Sequence, residues 1–174
     1  MSKQLYCSGK IGGGKYEINI GDKKTNNCRK RIDIVSIRMI RESSMLYGIR
    51  RINQPNDAVG IARRFLDDAD REQLLVCSVD TKNQPTSISV VSIGSINSSI
   101  VHPREVFKTA ILSNAASIIV FHNHPSGDTT PSKEDINVTN RLKEAGKILG
   151  IEVLDHIIIG ADGMFCSIKE RGMI

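Results

Sequence analysis

The stretch IIVFHNHPSGDTTPSKEDI, residues 118–136, joins an apolar run to a polar turn and then to an amphipathic segment. The run 116–122 is apolar almost throughout, which predicts a central strand covered on both faces of a sheet. Ser132 and Asp135 have the spacing of a capping box, which predicts that a helix begins near Ser132. The stretch therefore predicts a strand-to-helix junction of the kind from which α/β folds are built.

The flanking sequence continues this alternation. Helices are predicted over residues 54–68, 102–114 and 131–150, and Gly150 ends the last of them. Strands are predicted over residues 72–80, 85–95, 151–160 and 163–168, and the first two form a hairpin. This order predicts an α/β fold, a three-layer sandwich with a mixed β-sheet.

The N-terminal segment, residues 1–51, differs in charge from the rest of the chain. It holds twelve Lys and Arg against four Asp and Glu, a net charge of +8, whereas the other 123 residues hold twelve against fifteen, a net charge of −3. Residues 32–40, IDIVSIRMI, alternate as a strand does. We therefore predict a basic N-terminal segment, partly strand and in part mobile, followed by a domain over residues 52–174.

Composition limits the partners of the chain. The basic segment could bind nucleic acid through phosphate contacts, or it could be a solvated arm, and few aromatic residues interleave its charges. No run of 18 apolar residues is present, which argues against a membrane span, and the N-terminus lacks the apolar core of a secretory signal, so a cytoplasmic protein is expected. None of the four cysteines forms a C-x-x-C pair, so neither a disulfide framework nor a cysteine zinc site is expected.

Two histidines carry the chemistry of the central stretch. His122 and His124 are two residues apart on the predicted strand, so their side chains point to one face. Asp135 falls in the first turn of the next helix, where the helix dipole favours a carboxylate. Two imidazoles and one carboxylate form a ligand set typical of catalytic zinc, with the fourth position left for water. A capping box from Ser132 to Asp135 after a polar strand end explains the same residues without a metal, and the pattern leaves both interpretations open.

The spacing H-x-H-x7-S-x2-D in HNHPSGDTTPSKED resembles the signature of the JAMM (JAB1/MPN/Mov34) metalloenzyme superfamily. The blocks VHPREVFKTAI, HNHPSGD, TPSKEDI and LDHIIIG resemble its RadC-type JAB branch over roughly residues 55–174. The resemblance implies the JAB/MPN fold, which is cytidine-deaminase-like. It also implies a zinc-dependent metallopeptidase or isopeptidase that uses a zinc-activated water on a protein or peptide substrate.

The resemblance also implies a role for individual residues. His122, His124 and Asp135 match the zinc ligands of the family. Ser132 matches the serine that helps to hold the water and the tetrahedral oxyanion. The family's upstream glutamate, its general acid/base, matches Glu72 in EQLLVCSVD, although the glycine of the family's E-x-x-G-x-L strand is missing there.

Other polar residues have competing interpretations. Glu105 is the rival to Glu72, or else an ordinary acid in the first turn of a helix. Asp155 and His156 in LDHIIIG either mark a strand entry or contact a metal ligand from outside. Asp128 is predicted only as a turn residue.

RadC-type proteins usually carry an N-terminal helix-hairpin-helix region linked with DNA, and no such tandem is recognisable in this sequence. The basic segment stands in its place, which argues against carrying the family's association with DNA repair over to this chain. The alternative to a hydrolase is therefore a DNA-associated accessory or scaffold protein with a JAMM core. The four intact motif residues favour the hydrolase, and the charge of residues 1–51 favours some role of the second kind.

Overall fold

The structure is a computed structural model that describes residues 6–11, 14–19, 32–94 and 101–174. The chain divides into two compact units, residues 1–38 and 39–174. The first contains an antiparallel hairpin of strands β1 (Tyr6–Ile11) and β2 (Gly14–Asn19). The rest of the predicted basic segment before residue 32 lies outside the described residues, and the predicted boundary between residues 51 and 52 stays a prediction.

The predicted strand over residues 32–40 is wrong. These residues belong to no helix or strand, and their apolar side chains are exposed on both parities, with Ile32 at 91% and Val35 at 78%. An alternating pattern becomes a strand only where a neighbouring strand satisfies its backbone and a core covers one face. Within the described residues, no strand pairs with this segment.

The larger unit alternates strands and helices as predicted. Its helices are α1 (Pro55–Leu66), α2 (Pro103–Leu112) and α3 (Lys133–Leu149). Its strands are β3 (Gln73–Val79), β4 (Pro85–Ile93), β5 (Ser117–Asn123), β6 (Glu152–Ile159) and β7 (Phe165–Ser167). They form one sheet in the order β4-β3-β5-β6-β7, in which β5 and β6 are parallel and the other pairs are antiparallel. The predicted α/β fold with a mixed sheet is confirmed.

Apolar side chains fill both faces of the sheet. One cluster packs against α2 and α3 and includes Leu74, Val76, Val120, Phe107 and Leu142. The other packs against α1 and includes Leu75, Cys77, Phe121, Ala62 and Leu66. Every residue of β5 is buried, as its continuous apolar run predicts. The result is a helix–sheet–helix sandwich with β5 at its centre.

A β-bulge at Leu154 changes the phase of strand β6. Val153 pairs with Ile118, and the next pair joins Asp155 to Ile119, so Leu154 has no partner of its own in β5. His156 consequently pairs with Val120 and lies on the face covered by α2 and α3.

Helix α3 begins and ends with local signals. Ser132 is its N-cap and forms the predicted capping box with Asp135. Gly150 follows the last turn in the left-handed region, at a φ of 69°, and so ends the helix as predicted. None of the helices in the described ranges is long and apolar enough to cross a membrane.

Candidate functional site

Three side chains converge where β5 ends and α3 begins. His122 is the penultimate residue of β5, His124 directly follows the strand, and Asp135 lies in the first turn of the helix. The two Nε2 atoms are 2.9 Å apart. Nε2 of His122 is 3.2 Å from Oδ1 of Asp135, and Nε2 of His124 is 3.6 Å from Oδ2. The strand-to-helix junction thus brings the three predicted ligands together.

The spacing of these atoms fits a small tetrahedral cation. A tetrahedral ion with ligand distances of about 2.0–2.1 Å holds its ligand atoms about 3.3 Å apart. The two Nε2 atoms are 2.9 Å apart and Nε2 of His122 is 3.2 Å from Oδ1 of Asp135, both close to that value. With one ligand atom taken from each residue, all three lie within 4.8 Å of one another. Two imidazole nitrogens favour zinc over magnesium, which prefers oxygen ligands. Among the described residues, this is the group of three whose ligand atoms could hold a metal ion.

Ser132 fixes the orientation of Asp135. Its backbone N–H and its hydroxyl both donate to Oδ2 of Asp135, at 2.8 and 2.7 Å, and the N–H of Asp135 donates to the hydroxyl oxygen at 3.1 Å. Oδ1 is left to face His122. The Asp135 carboxylate can therefore take part in the capping box through Oδ2 and in the ligand cluster through Oδ1, so the two interpretations are compatible.

The electrostatics of the cluster favour an ionised carboxylate. Burial alone would raise the pKa of Asp135, but the neighbouring rings of His122 and His124 and the Ser132 hydroxyl outweigh it and hold this pKa far below its usual value. The nearby Asp135 carboxylate raises the pKa of His124, burial opposes the rise, and the negative charge of Glu72 adds a smaller increase. The centre thus has an anionic ligand at neutral pH.

Both histidines are held by a second contact. Nδ1 of His124 donates to the backbone carbonyl of Asp128 at 2.6 Å. Nδ1 of His122 lies 2.8 Å from Nε2 of His156, whose Nδ1 lies 2.6 Å from the hydroxyl of Thr139. Complete burial lowers the pKa of His156 well below its usual value, so this ring is neutral. Such outer contacts fix the orientation of a ligating imidazole.

Glu72 lies next to this cluster. Leu74 pairs with His122, and continuing this antiparallel register by two residues sets Glu72 opposite His124. Side chains alternate along a strand, so Glu72 shares the face of Leu74, which is the face of His122. The Asn123 side chain holds the backbone on both sides of Glu72, because it accepts from the N–H of Gln73 and donates to the carbonyl of Arg71.

Glu105 has a different environment. It lies in the exposed first turn of α2, and its carboxylate pairs with Lys108 and Arg104. The Lys108 ammonium lowers the pKa of this carboxyl. These contacts agree with the interpretation of Glu105 as a first-turn acid.

Asp155 and His156, the two polar residues of LDHIIIG, make different contacts. His156 contacts His122, whereas Asp155 accepts from the Ser167 hydroxyl at 2.6 Å and from backbone N–H groups of His156 and Lys169. Asp155 therefore joins the middle of β6 to the end of β7, and its hydrogen bonds go to none of the three residues of the cluster.

Sequence reasoning missed Thr139 and the Asp128 carbonyl. Thr139 follows Asp135 by four residues on a helix, which places both on one face, and this spacing was the available signal. No side-chain pattern marks the role of Asp128, because a backbone carbonyl makes the contact with His124.

Comparison with known proteins identifies a family that matches this chain. The family described as the RadC-like JAB domain matches residues 52–173. The chain is 58% identical over 123 residues to a UPF0758 protein of Moorella thermoacetica, covering 71% of this chain and 53% of that protein. It is 56% identical over 123 residues to a UPF0758 protein of Desulforamulus reducens, with 71% and 54% covered. A UPF0758 protein of Methanosarcina mazei is 51% identical over 125 residues, with 72% and 54% covered. The chain thus spans about half the length of these curated relatives.

Proposed function

The chain belongs to the RadC-like JAB domain family, and from this premise we propose that it is a zinc-dependent hydrolase of amide bonds, a metallopeptidase or isopeptidase. The observation that carries the proposal is the convergence of His122, His124 and Asp135 at spacings that suit a tetrahedral ion. Two imidazoles and a carboxylate leave one position of such an ion for a reacting molecule.

His122, His124 and Asp135 would hold the zinc ion. When bound there, the ion would supply an activated water, since zinc lowers the pKa of a bound water from about 15.7 to about 7. Ser132 lies in the same turn as Asp135, to which its hydroxyl donates at 2.7 Å, and this hydroxyl would be the donor to a developing oxyanion. A hydrogen bond from this hydroxyl to the developing charge would compete with the one that it donates to Asp135.

Glu72 is the proposed general acid/base. The proposal is supported by the register, which, continued from the Leu74–His122 pair, sets Glu72 opposite His124 on the face of the sheet that carries His122. It would take a proton from the attacking water and deliver it to the leaving amine. A groove lined by Asn123, Pro125 and the end of α1 borders this edge of the sheet, and His124 is the member of the cluster that lines it.

The metal part of the proposal is tested by elemental analysis of protein purified without chelator. We expect one zinc ion per chain in the wild type and close to none in a His122→Ala/His124→Ala double variant. His102→Ala is the matched control, because His102 is an exposed histidine at the start of α2 and outside the cluster. Equal zinc in all three proteins would refute the site.

The catalytic part is tested on a panel of peptide and isopeptide substrates. Glu72→Gln keeps the shape of the side chain and removes its basicity, so hydrolysis should fall by about 10²–10⁴-fold while zinc is retained. Glu105→Gln is the matched control and should keep its activity, because the Glu105 carboxylate pairs with Lys108 and Arg104. Undiminished hydrolysis by Glu72→Gln would overturn the assignment.

The second candidate function is a DNA-associated accessory or scaffold role. The charge of +8 in residues 1–51 favours it, since the remaining chain carries −3. Affinity for a DNA duplex should then fall steeply with salt, and replacing Arg29, Lys30 and Arg31 by serine should reduce the log–log salt slope by up to about 2.7. Binding that ignores salt, or no binding at low salt, would leave the segment as a solvated arm.

A further inference from the structure

A line of buried side chains connects the first turns of helix α3 to His122. The Thr139 hydroxyl lies 2.6 Å from the carbonyl oxygen of Asp135 and 2.6 Å from Nδ1 of His156. Nε2 of His156 lies 2.8 Å from Nδ1 of His122. Thr139, His156 and His122 each have 0% of their surface exposed, so water does not compete for these contacts.

The direction of the hydrogen bonds follows from the one group that can only accept. The Asp135 carbonyl has no hydrogen, so its contact with Thr139 uses the single hydroxyl hydrogen. The Thr139 oxygen can then meet Nδ1 of His156 only as an acceptor. His156 is therefore protonated at Nδ1.

The second nitrogen of His156 carries a lone pair. A fully buried imidazolium would need an anionic partner, and the two ring nitrogens of His156 contact a neutral hydroxyl and another ring. The bond between the rings must then be donated by Nδ1–H of His122. We propose that Thr139 and His156 are positioning residues that hold a proton on Nδ1 of His122, so that Nε2 is the atom that faces His124 and Asp135.

This arrangement matters because a metal needs the lone pair and not the proton. A ligating histidine commonly donates its other N–H to a carboxylate, a backbone carbonyl or water. Here the acceptor is a second histidine, itself oriented by a hydroxyl on α3. One helix thus provides the ligand Asp135 and, one turn later, the residue that orients His122. The consequence for metal affinity rests on the proposed function, whereas the proton on Nδ1 of His122 is a property of the metal-free protein.

The opposite direction of bonding makes a distinct prediction. If Thr139 donated to His156, Nε2–H of His156 would donate to His122, and His122 would be protonated at Nε2. The Thr139 and Asp135 oxygens would then be 2.6 Å apart with no hydrogen between them, which is repulsive.

Nuclear magnetic resonance of the metal-free, ¹⁵N-histidine-labelled chain at pH 8 tests the proposal directly. The pattern of two-bond nitrogen–proton correlations distinguishes the two neutral tautomers of each of the four histidines. We expect His122 and His156 both protonated at Nδ1. A His122 ring with no proton on Nδ1 in the wild type would overturn the proposal without any variant.

Three variants test the consequence for metal binding. Thr139→Val keeps the shape of the side chain and removes the acceptor of His156, so we expect the His122 tautomer to change and zinc affinity to fall about 10–100-fold in competition with a chromophoric chelator. Thr139→Ser keeps the hydroxyl and should stay within about threefold of wild type. Thr109→Val makes the same change on α2, outside the site, and should alter neither the His122 tautomer nor the zinc affinity.

The outcomes separate the two proposals. Thr139→Val that folds and keeps both the tautomer and the affinity of the wild type overturns this inference, as does a changed tautomer with unchanged affinity. If the wild type binds no zinc, the proposed function fails, and the tautomers of the metal-free wild type and Thr139→Val still decide the inference. If Thr139→Val does not fold, the wild-type tautomer decides it.

Discussion

Gly160 supports the loop that carries His124, and a single methyl group there should disturb the metal centre from outside. Gly160 follows β6 and is buried against the turn after β5. A Cβ atom at this position would lie 2.4 Å from Cγ2 of Thr129 and 2.5 Å from the carbonyl oxygen of Gly127. Real Cβ contacts essentially never fall below 3.0 Å, so the Gly127 carbonyl must move by at least about 0.5 Å.

That movement reaches His124 through the backbone. The Gly127 N–H donates to the His124 carbonyl at 2.9 Å, and the next residue, Asp128, accepts from Nδ1 of His124 at 2.6 Å. A shift of half an ångström is the tolerance within which a binding constellation must be held. Gly160→Ala should therefore lower the free energy of unfolding by about 1–3 kcal/mol and weaken zinc binding by about tenfold.

Denaturant unfolding and zinc competition with a chelator measure the two effects. Gly60→Ala is the matched control, because Gly60 lies inside helix α1 and a Cβ there would meet nothing within 4 Å. It should stabilise the protein by about 0.5–1 kcal/mol and leave zinc binding unchanged. Gly160→Ala with wild-type stability would refute the steric argument, and lowered stability with unchanged zinc affinity would refute the coupling to His124.

Three further predictions concern the centre and the core. The nearby Asp135 raises the pKa of His124 above 6.5, so a proton competes with the metal for this ring below the raised pKa. Zinc affinity should therefore rise with pH up to the pKa of His124 and then level off. A zinc affinity that stays constant between pH 6 and 9 would contradict this prediction. Ser132→Ala removes the N-cap of α3 and should cost about 1 kcal/mol in denaturant unfolding, whereas an unchanged midpoint would show that the cap contributes nothing. Burial raises the pKa of Cys77 to about 12, so a thiol reagent at pH 8 should label it only on unfolding, and labelling of native protein at the denatured rate would disprove its burial.

Local patterns were sufficient to predict the centre of the molecule. The two-residue period of a strand puts His122 and His124 on one face, and the three-residue spacing between Ser132 and Asp135 marks the helix that begins after Ser132. Both signals depend only on residues that are close in sequence, so they can be recognised without knowledge of tertiary contacts.

The remaining features depend on contacts between distant parts of the chain. A strict alternation along β6 would place His156 on the opposite face from Val153, and the bulge at Leu154 puts them on the same face. Residues 32–40 show the reverse case, since their alternation is strand-like and no described strand pairs with them. The local sequence pattern predicts neither the bulge in β6 nor the lack of a described strand that pairs with residues 32–40.

The bulge gives β6 a tolerance to change in length that β5 lacks. Val153 and Asp155 already pair with adjacent residues of β5, so deleting Leu154 would join two segments that are in phase and would leave His156 opposite Val120. The deletion of one residue from β5, upstream of His122, would have a different effect. If the residues before the deletion kept their pairing with β3, His122 and His124 would turn toward the opposite face of the sheet, which α1 covers. A one-codon deletion at position 154 would remove the contacts of Leu154 with the α1 cluster, and the orientation of the site would be preserved.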